Sequence, residues 1–157
     1  MKSTIVLAGS LAFLFMAAEA NALESSAQKV TAESVASVWK RVGNFCGISA
    51  WDPSVAKCEL SADGKQRTMT LKNGATVVEA LVKWSDKHHF YTYKIVSSPL
   101  PVDRYESTLK VAAGKGGSGS IITWRGHYEA KGAPDAEAKK IIDSIYESGT
   151  EALVKAK

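Results

Sequence analysis

The chain has 157 residues, of which 45% are hydrophobic and 23% charged, with a net charge of +4. That length and balance predict one globular domain with a real core. The basic residues, among them Lys57, Lys72, Lys83, Lys94, Lys110, Arg125 and Lys140, are scattered with no aromatic-interleaved stripe. Nucleic acid is therefore not an expected partner, while docking on an acidic protein or an anionic lipid surface stays open.

Met1 to Ala22 reads as an export signal. Lys2 gives a positive start, Ile5 to Ala18 is almost wholly apolar, and Ala20-Asn21-Ala22 is a small-x-small cleavage site. The apolar run is short for a membrane span, and Glu19 follows at once, which argues against an uncleaved anchor. Cleavage after Ala22 leaves residues 23–157 as one domain, expected in a bacterial periplasm or secreted, with no stable span. Lys2 and Glu19 leave together, so the mature net charge stays at +4.

Glu24 to Val30 reads as a weak first strand or extended arm, and Thr31 as a helix N-cap. Val35, Val38, Trp39 and Val42 recur at helical spacing, stopped by Gly43-Asn44. Phe45 to Trp51 is a second short helix or turn, halted by Asp52-Pro53. The period then becomes two. Strands are expected over Val55 to Ser61, Gln66 to Lys72, Ala75 to Trp84, His88 to Ser97, Val102 to Ala112 and Ser120 to Lys131. Asp63-Gly64, Asn73-Gly74 and Ser85-Asp86-Lys87 mark turns, and short loops make the run an antiparallel meander.

Pro134 to Lys155 is the long terminal helix. Its stripe is Ala138, Ile141, Ile142, Ile145, Gly149, Ala152 and Leu153, and such a helix is roughly 33 Å long. The fold class is α+β: strand, two short helices, six strands, one long helix. Gly149 on the stripe either leaves space for a strand or a ligand or is a mild flaw near a fraying end.

Cys46 and Cys58 are the only cysteines, and an even count in an exported chain predicts a bond; two buried thiols are the alternative. His88-His89 beside Asp86 is a poor chelate because adjacent strand residues point to opposite faces, so no metal site is expected. Gly114-x-Gly116-x-x-Gly119 leads into a strand, so it is a hairpin loop rather than a dinucleotide fingerprint. Tyr91, Tyr93 and Ile95 share one face, as do Tyr105, Ser107, Leu109 and Val111, and Ile122, Trp124, Gly126 and Tyr128; these are the expected inward faces. Glu79 is ambiguous. Val78, Ala80, Val82 and Trp84 alternate against it, which mildly places it outside.

Several stretches together resemble one family. These are Val38-Trp39 through Val42-Gly43-Asn44-Phe45, Trp51-Asp52-Pro53 and Val77-x-Glu79-x-Leu81, then Tyr91-Thr92-Tyr93-x-Ile95-Val96, Pro99-Leu100-Pro101-Val102 and Trp124. Their order and spacing, from about Gln28 to Lys155, resemble the polyketide cyclase/dehydrase and lipid-transport family of the START-like helix-grip superfamily. The departures are Asp52 where relatives often carry His, and Cys46 where they often carry Gly.

The resemblance implies a curved seven-stranded antiparallel sheet wrapped round the C-terminal helix, with a cavity for a small hydrophobic or amphipathic ligand between them. It turns Glu79 inward, where the carboxylate would bind a ligand hydroxyl, act as a general base, or pair with a neighbouring Arg or Tyr. The expected lining is Trp51, Glu79, Tyr93, Tyr105, Trp124, Ile141 and Ile145, with the mouth near Trp51 and Pro99 to Val102. Small residues at Ala80, Ser107, Gly126 and Gly149 supply the room. The functional expectation is an exported binding protein with no cofactor. The alternatives are an accessory protein docking on a periplasmic dehydrogenase of the methanol-oxidation type, and a cyclase- or dehydratase-like enzyme using Glu79.

Overall fold

The computed structural model describes residues 22–156. The export signal therefore lies, but for Ala22, outside the described residues. Strand β1 (Leu23–Thr31) is followed by helices α1 (Val35–Val42) and α2 (Ile48–Trp51). Strands β2 (Val55–Leu60), β3 (Gln66–Leu71), β4 (Thr76–Ser85), β5 (Phe90–Ser97), β6 (Val102–Ala113) and β7 (Ser120–Ala130) follow, then helix α3 (Asp135–Lys155). The sheet has seven strands in the order β1-β7-β6-β5-β4-β3-β2, with every neighbouring pair antiparallel. β2 to β7 form the meander, and α1 and α2 carry the chain from one edge of the sheet to the other. Among the described residues no helix is long and apolar enough to cross a membrane.

Helix α1 starts one turn later than Thr31. Thr31 ends β1, and Ser34 is the N-cap, its hydroxyl accepting from the Ser37 N–H at 3.2 Å. Val38, Trp39 and Val42 bury the inner face of α1. Glu33 and Arg41 form a two-pronged ion pair with both N···O distances 2.7 Å, and Arg41 also reaches the Leu153 carbonyl at 3.3 Å. This ties α1 to the end of α3. Cys46 and Cys58 are disulfide-bonded, with Cα atoms 5.5 Å apart, so the α1–α2 connection is stapled to edge strand β2.

Helix α3 packs on β1 and β7, but its buried line differs from a count of apolar residues. Ala138, Ile142, Tyr146, Gly149, Thr150 and Leu153 are buried, whereas Ile141, Ile145 and Ala152 are half-buried. Tyr146 and Thr150 are polar by composition, yet each hydroxyl finds an acceptor inside, so the helix rolls them inward. Gly149 takes its meaning from the same roll. A Cβ there would run into the Trp124 ring, and without one Trp124 stacks on Tyr146 with centroids 5.1 Å apart.

The inner sheet face carries a file of aromatic rings. Trp84 stacks on Tyr91 at 5.3 Å, and Tyr91, Tyr93, Tyr105 and Tyr128 follow at about 6 Å steps. Irregularities in the ladder set who joins this file. The β4–β5 register slips between Leu81 and Lys83, so Leu81 lies opposite Tyr93 and Trp84 opposite Tyr91. Trp84 turns inward and Val82 is left outside, 49% exposed.

Candidate functional site

The site grows from one cross-strand pair. Arg67 on β3 and Glu79 on β4 are directly opposite, so they share the inner face. Arg67 Nε donates to Glu79 Oε2 at 2.7 Å, and Nη2 lies 2.6 Å from the same oxygen without hydrogen-bond alignment. Nη1 donates to the Phe45 carbonyl, the residue next to the disulfide. The guanidinium sits 4.3 Å from the Phe45 ring centroid and 5.1 Å from that of Tyr93. The Arg67 side chain is fully enclosed, and Glu79 keeps 7% of its surface open. No hydrogen bond among the described residues ends on Glu79 Oε1.

Burial pushes the Glu79 carboxyl above its ordinary range, against the downward pull of the Arg67 guanidinium. Burial acts to lower Arg67, but the Glu79 charge, the Tyr91 and Tyr93 phenols and the hydrogen bond to Glu79 together outweigh it, so the guanidinium holds its proton more firmly than usual. A charge pair this deep is costly to break from one side.

A hydroxyl network lies beside the pair. Ser107 Oγ donates to the Arg125 carbonyl at 2.9 Å and accepts from Tyr146 Oη at 2.9 Å and Trp124 Nε1 at 3.0 Å. Tyr105 must then donate to Tyr146, 2.6 Å away. Tyr93 accepts from Trp124 Nε1 at 3.0 Å, and its own proton has only Tyr105 Oη, at a long 3.4 Å. Burial pushes the Tyr93 and Tyr105 phenols well above their ordinary range. Both are donors at any working pH.

Between the ion pair, the end of this network and α3 lies a cavity of about 190 Å³. Glu79, Tyr93, Tyr105, Trp124 and Ile145 line it, with Arg67, Met69, Val77, Ile95, Leu100 and Ile142. Two expected lining residues do not reach it. Trp51 packs edge-on against Trp124 at 6.0 Å with its ring spent on the core, and the roll of α3 presents Ile142 rather than Ile141. Of the lining residues Ser54 and Pro99 are exposed, with half-buried Asp52 and Leu100 beside them, which puts the mouth there.

The room does not come from the small residues. Ala80 is on the outer face, the space beside Gly126 is filled by the Tyr146 hydroxyl, and the space over Gly149 by Trp124. Ser107 is a junction of hydrogen bonds. Arg67 is the residue that sequence reasoning missed. Its signal was an arginine alternating in phase with Met69 and Leu71, the apolar face of β3.

No group of three or more His, Cys, Asp or Glu among the described residues is placed to hold a metal. Asp52 is occupied locally, accepting from the Ser54 N–H and hydroxyl at 2.9 and 2.6 Å.

A family model described as polyketide cyclase / dehydrase and lipid transport matches residues 23–156. The chain belongs to this family. An uncharacterized protein from Bacillus thuringiensis is 30% identical, with a TM-score of 0.83 over 85% of this chain and 98% of that one. The protein XoxI from Bacillus cereus is also 30% identical, with a TM-score of 0.82 over 85% and 94% of the two chains. The Zhui aromatase/cyclase from Streptomyces sp. R1128 shares the fold at 12% identity, with a TM-score of 0.69 over 87% and 91%. No curated protein matches the chain.

Proposed function

We propose that this family member is an exported binding protein that holds a small amphipathic molecule between the sheet and α3. One observation carries the reading: an aliphatic cavity ends on a buried ion pair and a phenol whose hydrogen bonds are incompletely spent. Apolar walls with a few convergent polar groups are the usual make-up of a small-molecule site. Catalysis by Glu79 would have to run through Oε1, since Oε2 is committed to Arg67.

Native mass spectrometry of the protein purified from its own periplasm is the test. A non-covalent adduct that leaves on mild activation is the expected result. A bare mass, together with no binding of an anilinonaphthalene dye to the native chain, overturns the binding reading. The same spectrum checks export, because the mature chain is expected to begin at Leu23; a mass retaining residues before Ala20 removes that part of the proposal.

A further inference from the structure

The cavity's size and the arrangement of its polar end restrict what fits. An apolar cavity of about 150 Å³ holds one benzene, and sites for drug-sized ligands begin near 300 Å³. At about 190 Å³, this cavity suits one ring with a substituent or two. A fused polycycle or a lipid with two chains exceeds it and would have to project through the mouth.

Charge decides the head group. Arg67 is the only buried cation among the described residues at the cavity, and Glu79 already neutralises it. The guanidinium is fully enclosed, so the carboxylate is the member of the pair that meets the void. A carboxylate or phosphate head would bring a second negative charge against that carboxylate, and the remaining donors, the Tyr93 hydroxyl and Arg67 Nη2, add no positive charge that Glu79 has not already neutralised. A hydroxyl meets Glu79 Oε1 as a donor, and its oxygen accepts from Tyr93, whose proton otherwise has a partner only at 3.4 Å.

Resting on the binding reading above, we infer that the ligand class is neutral, single-ring-sized and hydroxylated: a small phenol or cyclic alcohol with its O–H on Glu79 and its ring against Val77, Ile95, Leu100 and Ile145.

Titrating the mature chain with p-cresol, toluene, benzoate and a three-ring phenol, read by calorimetry and by tryptophan fluorescence, tests this. Expected are p-cresol at least about tenfold tighter than toluene, no measurable benzoate and no three-ring phenol. Ile145→Trp, on the half-buried face of α3, is expected to abolish p-cresol binding while the chain stays folded by circular dichroism. Tyr93→Phe is expected to weaken p-cresol several-fold and leave toluene unchanged. Equal affinity for p-cresol and toluene, tighter binding of benzoate or of the three-ring phenol, or p-cresol binding that survives Ile145→Trp overturns the inference while leaving a binding protein. If p-cresol, toluene and the hydrophobic dye all fail to bind, the binding reading falls as well.

Discussion

Two halves of the same inner sheet face are finished in opposite ways. Under α3, the half built from Ser107, Tyr105, Trp124, Gly126 and Tyr146 is solid. Each hydroxyl has a partner, and the two glycines are filled by neighbouring rings and hydroxyls. Toward β3 and β4, the half built from Arg67, Glu79, Val77 and Ile95 encloses a void and leaves one carboxylate oxygen without a described donor. Polarity does not separate them, because both carry buried polar groups. The difference is satisfaction: a closed hydrogen-bond network rigidifies a core, whereas a partly spent one beside empty space is positioned for a guest.

The sharpest way to break the contrast is to unpair the charge. Arg67→Ala leaves Glu79 buried and alone, and is expected to cost about 3–5 kcal/mol in urea unfolding. The double change Arg67→Met with Glu79→Leu is expected to recover most of that loss, since replacing a buried pair with apolar bulk is often neutral.

The solid half is expected to react strongly to one methyl group. Gly149→Ala improves helix propensity by about 1 kcal/mol, yet its Cβ has no room beneath Trp124. Net destabilisation of about 1–2 kcal/mol is expected, with an altered near-ultraviolet signal from the displaced indole. A stabilised Gly149→Ala would show that this half is not closely packed.

Tyr146→Phe removes one hydroxyl from the network and strands partners on Tyr105 and Ser107. About 1–2 kcal/mol of destabilisation is expected. The affinity for p-cresol should hold within about twofold if the long 3.4 Å step from Tyr105 to Tyr93 carries little coupling between the halves.

The smallest effect lies outside both halves. Hydrogen bonds from Arg41 and then Ser37 hold the Glu33 carboxyl down at about 2, against an ordinary 4.5. A carboxyl lowered on folding contributes stability that is complete above pH 4.5 and is lost as pH falls toward about 2. Glu33→Gln is therefore expected to flatten the acid limb of the stability profile slightly and leave the neutral range nearly unchanged apart from the lost pair. A steep limb that persists in Glu33→Gln would assign acid sensitivity elsewhere.

Element order, the antiparallel meander and the long terminal helix follow from local patterns, and the disulfide from the cysteine count. Alternation, Asp-Gly and Asn-Gly turns and a three-four stripe depend on near neighbours, and the structure keeps them. The inward faces of β5, β6 and β7 are legible for the same reason, with Tyr91, Tyr93, Leu109, Ile122 and Trp124 all buried.

What the sequence could not decide is phase across strands. A two-residue Asn73-Gly74 turn would set Glu79 opposite Thr68, on the outer face. The observed loop takes three residues, with Leu71 N–H bonded to the Ala75 carbonyl and Gly74 at a φ of 85°. That one-residue shift puts Glu79 opposite Arg67 and turns both inward. The slip at Val82 likewise turns Trp84 from the outer face to the aromatic file. On α3, the choice of Ile142 over Ile141 depends on where the Tyr146 hydroxyl finds its partners, the donor Tyr105 and the acceptor Ser107, and both lie on β6. Composition, order and local turns are set by residues adjacent in the chain. Which polar groups meet, and where space is left between them, is set by register and helix roll, and these are fixed only when distant segments pack.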